Sequence, residues 1–182
     1  MSIILLLLRL PILVVHILVG LFTILFFPKE PENFKNSHYR IMMLWMNILS
    51  SILGIKVDIR GIPDQSANLF VSNHVTYLDI IIINKLLPVN FIAKEEISSW
   101  PVIGRLASKT GTLFIKRGDN VESSKMIYEM EERFKLQNKI VFFPEGKIGN
   151  GKRVRKFHYK LFKSIENKEL YIQPIAIRYP TG

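Results

Sequence analysis

The chain has 182 residues, enough for one domain with a small appendage. Its 48% hydrophobic content is unevenly spread: the first 27 residues carry a single charge, Arg9, while the remainder holds 24 Lys+Arg against 15 Asp+Glu. With no cysteine, disulfides, thiol nucleophiles and thiolate metal sites are excluded, and a basic body behind an apolar leader points to anionic head groups at a membrane surface. Nucleic acid ranks well below, because no aromatic-and-basic RNA signature or zinc spacing is present.

Ile3 to Phe27 is an apolar stretch interrupted by Arg9, Pro11, His16 and Gly20. Its part from Leu10 to Phe27 has roughly the length needed to cross a ~30 Å hydrocarbon core. A signal peptide is the competing reading, but the start is not basic, and Pro28-Lys29-Glu30 stands where small cleavage-site residues belong. The expectation is a retained anchor, spanning or lying in the interface. If it spans, the Lys/Arg-rich body stays on the cytoplasmic side.

A proline-broken linker, Pro28 to Asn33, precedes an amphipathic helix over Ser37–Leu53, with Ile41, Leu44, Trp45, Ile48, Leu49 and Ile52 at three- and four-residue steps and Gly54 to end it. This helix either packs on the domain or contacts the membrane. Beyond Gly54, short strands alternate with helices. Strands are predicted at Lys56–Arg60, Leu69–Ser72, Asn90–Ala93, Thr112–Lys116, Lys139–Phe143 and Tyr171–Ile177. Helices are predicted at Asp79–Leu87, Glu95–Ser108 (interrupted by Pro101), Asn120–Gln137 and Lys160–Asn167. Such alternation implies an α/β domain with a mostly parallel central sheet flanked by helices.

Four stretches carry candidate chemistry. In Asn73-His74-Val75-Thr76-Tyr77-Leu78-Asp79, a histidine and a carboxylate five positions apart would lie about 140° apart on a straight helix. To touch, His74 must sit in the turn and Asp79 near the helix start. One reading is a base with its orienting carboxylate; the other is a turn histidine with Asp79 as a cap. Arg117, after the apolar Leu113-Phe114-Ile115, offers a planar fork for phosphate or carboxylate, or is a solvated strand-end charge. Glu145 follows Phe143-Pro144 and precedes Gly146, where it could bind a substrate hydroxyl, hold Arg117, or stand in a plain loop. Pro174, within Ile172-Gln173-Pro174-Ile175, marks an edge strand more readily than a site.

Taken together, these blocks resemble the glycerolipid acyltransferase family, most of all the 1-acyl-sn-glycerol-3-phosphate acyltransferases. The matching motifs are Asn73-His74-x4-Asp79, Gly111-x2-Phe114-Ile115-x-Arg117, Phe143-Pro144-Glu145-Gly146 and Gln173-Pro174-Ile175, with Phe91 to Ile97 and Trp100 to Gly104 between them. The resemblance covers about residues 54–178. It implies a membrane-anchoring helical region over 1–54, an acyltransferase domain over 55–182, and a membrane enzyme working on the cytoplasmic side. It further implies acyl transfer from acyl-CoA or acyl carrier protein to the sn-2 hydroxyl of lysophosphatidic acid, giving phosphatidic acid, with no metal or cofactor. His74 would be the general base and Asp79 its orienter. Arg117 would bind the acceptor phosphate, Glu145 and Gly146 would complete the acceptor site, and Lys94 would add positive charge to it. Partners would be membrane lipids, the lysophospholipid acceptor and the acyl donor.

Two departures bear on this. The family usually has a threonine after Pro-Glu-Gly; here Lys147 and Ile148 follow, and Gly149-Asn150-Gly151 with Arg153-Val154 is similar to the subset acting on other lysolipids, including lyso-ornithine lipids. The chain also ends four residues after Arg178, where family members commonly continue. The basic run Lys152, Arg153, Arg155, Lys156, Lys160 and Lys163 fits anionic head groups, an acidic carrier, coenzyme A phosphates, or simply a solvated face. The rival from another class is a non-catalytic, membrane-anchored lipid-binding protein. A third reading, thioester hydrolysis, would use the same base.

Overall fold

The computed structural model describes residues 3–29, 33–116, 120–151, 153–166 and 168–180. Five strands, β1 (Ala67–Ser72), β2 (Val89–Lys94), β3 (Leu113–Ile115), β4 (Lys139–Phe142) and β5 (Tyr171–Ile175), form one parallel sheet in the order β3-β2-β4-β1-β5. A parallel sheet needs cover on both faces, so its strands read as continuous apolar runs. On one face, α5 (Asn120–Lys135) and a 3-10 segment, Tyr159–Ile165, bring Met126, Met130, Phe134 and Leu161 onto Leu69, Leu113 and Ile140. On the other, α3 (Leu78–Leu86) and the residue after it bring Ile83 and Leu87 onto Phe70, Val89 and Val141. Neighbouring residues such as Leu69 and Phe70 thus feed opposite clusters, as the two-residue period of a strand requires. The expected α/β class with a mostly parallel sheet is the one observed.

Outside this core lie α1 (Ile3–Thr23) and α2 (Asn36–Ile52). Helix α2 packs on α3, and α1 packs on α2. His16 and Trp45 stack with ring centroids 4.5 Å apart, and the Trp45 indole donates to the His16 carbonyl at 3.3 Å. A Cβ on Gly20 would lie 2.7 Å from Trp45 Nε1, so only glycine permits this approach. Most of α1 stays uncovered: Leu8, Val15, Val19 and Phe22 are each more than half exposed. The stretch Leu7–Phe26 is long and apolar enough to cross a membrane by length and composition, consistent with membrane association.

The structure corrects three predicted elements. Lys56–Arg60 forms no strand. β5 occupies the place beside β1, and it is the residues after the segment that meet the outer edge, through the Gln173 side chain, which accepts from the Asp64 N–H and donates to the Ile62 carbonyl. The predicted helix Glu95–Ser108 is a 3-10 turn, Glu95–Ser99, followed by a short α4 (Ile103–Lys109), split where Pro101 lacks an N–H. In place of the helix Lys160–Asn167 stands the 3-10 segment, which buries Leu161 and Ser164 at a three-residue interval suited to its tighter turn. Asn167, together with linker residues 30–32, lies outside the described residues. β5, with Pro174, is an edge strand as expected.

Candidate active site

The chain leaves β1 through α3 to reach β2 and leaves β4 through the opposite face to reach β5. β1 and β4 are neighbours, so their carboxyl ends flank a topological switch point, where open α/β sheets form crevices. A cleft of about 530 Å³ lies there, with His74, Tyr77, Trp100, Phe143, Lys94 and Lys147 among its lining residues.

His74 stands in the turn after β1 and Asp79 in the first turn of α3. Their contact is His74 Nδ1 to Asp79 Oδ2 at 2.8 Å. The same oxygen accepts the Val75 N–H at 2.6 Å and the Thr76 N–H at 3.0 Å. Asp79 therefore does both things its position allowed: it ties the turn backbone and it holds the imidazole. Its other oxygen accepts the Tyr179 hydroxyl at 2.7 Å. The carboxylate is fully buried. Burial opposes its ionisation most strongly, yet the bonds from His74, Thr76, Tyr179 and Val75 together outweigh it and hold the carboxyl below its ordinary range.

With Nδ1 committed to a carboxylate, the proton sits there and Nε2 is the free acceptor. The imidazole stacks on Phe143 at the end of β4, with centroids 4.0 Å apart and planes within 14°. One face of the ring is thereby covered, while His74 still lines the cleft. Such a site can take a proton from a hydroxyl brought to Nε2 and return it to a leaving group.

Of the other predicted site residues, Lys94 is half-buried at the end of β2 and lines the cleft, as does Gly146. Glu145 is buried beneath the loop, where its Oε2 accepts the Arg155 N–H at 3.1 Å. Arg117 and Lys152 lie outside the described residues. Sequence reasoning missed Tyr179, which follows Ile175 and Ile177 at two-residue steps; that alternation marks an extended segment with one inward face. It also missed the Phe143 stack, for which a strand-end aromatic gives no local signal.

A parallel α/β sheet with a carboxylate-held histidine above its switch point, open to a partly apolar cleft, defines a class of α/β proteins with a histidine–carboxylate site at the carboxyl ends of the strands. The sequence places this example within that class: residues 55–178 match the model of the Acyltransferase family, and the chain belongs to it. Among its relatives are the lyso-ornithine lipid O-acyltransferases of Pseudomonas aeruginosa, 35% identical over 77% of this chain and 54% of that protein, and of Rhodobacter capsulatus, 36% identical over 72% and 49%. The 1-acyl-sn-glycerol-3-phosphate acyltransferase of Neisseria gonorrhoeae is 30% identical over 80% and 57%. The chain spans about half the length of the curated relatives it matches. The crystal structure of the 1-acyl-sn-glycerophosphate acyltransferase PlsC from Thermotoga maritima shares the fold, with a TM-score of 0.58 and 20% identity over 74% of this chain and 55% of that one.

Proposed function

We propose that the protein is a membrane-associated acyltransferase that moves an acyl group from a thioester, on coenzyme A or acyl carrier protein, to the hydroxyl of a lysolipid. The observation that carries this reading is the His74–Asp79 pair, with Nε2 free at an apolar cleft that also presents Lys94 and Lys147. Nε2 takes the proton of the acceptor hydroxyl as its oxygen attacks the thioester carbonyl carbon. The C–S bond then breaks, the ester C–O bond remains, and the imidazolium returns its proton to the departing thiolate. His74 is the general base in this mechanism and Asp79 orients it. Gly146 and Lys94 flank the acceptor, Arg117 binds its anionic group, and Glu145 supports the loop over it.

Residues 1–54 anchor the protein in this reading, and residues 55–182 carry the reaction. A lipid acceptor makes that arrangement economical, because drawing an acyl chain into water costs ~0.8 kcal/mol per CH₂. The excess of Lys and Arg keeps the body on the cytoplasmic side.

Lysophosphatidic acid, acylated at its sn-2 hydroxyl, is the first acceptor to test. A second reading, lyso-ornithine lipid, is favoured by Gly149-Asn150-Gly151 with Arg153-Val154 and by the two relatives bearing that name. Detergent-solubilised protein would be given a radiolabelled acyl thioester with each lysolipid or with water alone, beside a His74→Ala control. Transfer to one lysolipid, lost in the control, is expected and identifies the head group. Fatty acid release independent of any lysolipid would replace transferase by hydrolase. No turnover from folded protein that still binds lysolipid would leave the binding-protein reading standing.

A further inference from the structure

β1 and β5 pair in register as far as Ser72 and Ile175. Beyond that point the Asn73 side chain continues the ladder: its Oδ1 accepts the Ile177 N–H at 2.7 Å and its Nδ2 donates to the Ile177 carbonyl at 2.9 Å. Both backbone groups of one residue are thus held by a single amide. In an extended backbone, residues two apart share a face. Ile175 and Ile177 pack toward the cluster around Phe70 and Val141, and Tyr179, the next on that side, reaches the buried carboxylate.

The hydrogen bonds there have a direction. Tyr179 has one hydroxyl proton, and the acceptor-only oxygen of Asp79, at 2.7 Å, receives it. The Thr76 hydroxyl, 3.3 Å away, must then donate to the phenol oxygen, while its own oxygen accepts the Leu78 N–H at 2.8 Å. Burial raises the Tyr179 pKa most; the Thr76 bond opposes that and the Asp79 carboxylate adds to it, for a value of about 12, so the donor keeps its proton at neutral pH. Without this donor, Oδ1 would be a buried acceptor with no partner, and the carboxylate would be held through Oδ2 alone.

We propose that Tyr179 is a positioning residue of the reaction, holding Asp79 Oδ1 so that Oδ2 keeps His74 in register, and that Asn73 acts as the clamp that delivers it. The inference rests on the acyl-transfer reading of His74. It extends the working site about 100 residues along the chain from Asp79, to a segment after the last strand.

The test is Tyr179→Phe, which keeps the ring and removes the hydroxyl, assayed for acyl transfer with its melting temperature recorded. The expected result is a loss in kcat of about tenfold, the usual scale for losing a hydrogen bond to a charged group, with KM for both substrates unchanged. Unchanged kcat, even with a lowered melting temperature, would make Tyr179 merely structural and overturn the proposal. In a double-mutant cycle, Asn73→Ala should add little to the kcat loss in the Tyr179→Phe background; additive losses would overturn the clamp. His74→Ala distinguishes the two levels: full activity in that variant removes His74 as the base, whereas an inactive His74→Ala beside a fully active Tyr179→Phe removes only this inference.

Discussion

The two strand ends that meet at the cleft are built in opposite ways. After β1, the turn is closed by its own neighbours: His74, Val75 and Thr76 all bond to Asp79, within five residues. After β4, the loop from Gly146 to His158 is held by distant partners. The Gly149 N–H donates to the His74 carbonyl at 2.7 Å, and the His158 N–H to the Pro144 carbonyl at 2.8 Å. Their chemistry differs as much as their construction. The turn buries an acid, whereas the loop exposes Lys147, Arg153, Arg155 and Lys156, with no acidic residue between Gly146 and Ile165. On the proposed reading, proton transfer falls to the turn and head-group recognition to the loop.

The largest expected effect falls on the turn. His74→Ala should lower kcat by about 10³-fold, within the range for a general base, measured by transfer of a labelled acyl group. Asp79→Asn should follow at about 10²-fold, because the amide can present an N–H where Nδ1 needs an acceptor. This residue also makes a pH prediction. Its folded pKa lies below the unfolded value of 3.8, so its stabilisation is present above that value and is lost as pH falls through the lower folded one. Acid unfolding of the wild type should steepen below about pH 4, and Asp79→Asn should flatten that limb. An equal acid response in both proteins would deny the carboxylate its role as the ionised hub of the turn.

A smaller effect is expected on the loop side. Glu145→Ala removes the acceptor of the Arg155 N–H, a cost of about 1 kcal/mol, the net scale of one hydrogen bond. With the loop loosened, KM for the lysolipid should rise about tenfold while kcat changes less. Should kcat collapse as in His74→Ala with KM untouched, the division of labour between the two strand ends would be wrong.

The same contrast explains what was legible in the sequence. The His74–Asp79 contact could be deduced because both residues sit in one strand-turn-helix unit, where spacing dictates geometry. The parallel sheet was legible for a similar reason, since apolar runs such as Leu69–Val71 must be covered on both faces. Lys56–Arg60 misled because alternation over a few residues states a preference, while a strand also requires a free neighbour. Glu145's attachment to Arg155, Gly149's to His74 and Tyr179's to Asp79 link residues 10 to 100 positions apart, which no local pattern encodes.

The smallest effect tests whether the two strand ends are truly separate. Gly151 has φ +70°, where an L side chain is strained, whereas a Cβ on Gly149 would meet the His74 carbonyl oxygen at 3.6 Å, an ordinary contact. Gly151→Ala should therefore cost about 1 kcal/mol and lower the melting temperature by about 2–4 °C for a chain of this size, while Gly149→Ala should be near neutral. If recognition and chemistry are independent, Gly151→Ala raises the lysolipid KM slightly and leaves the acid limb of kcat/KM where it was. A moved limb would mean that strain in the loop reaches His74 through the Gly149 bond. Loop and turn would then be one mechanical unit, and binding of a head group on the loop would be able to tune the base.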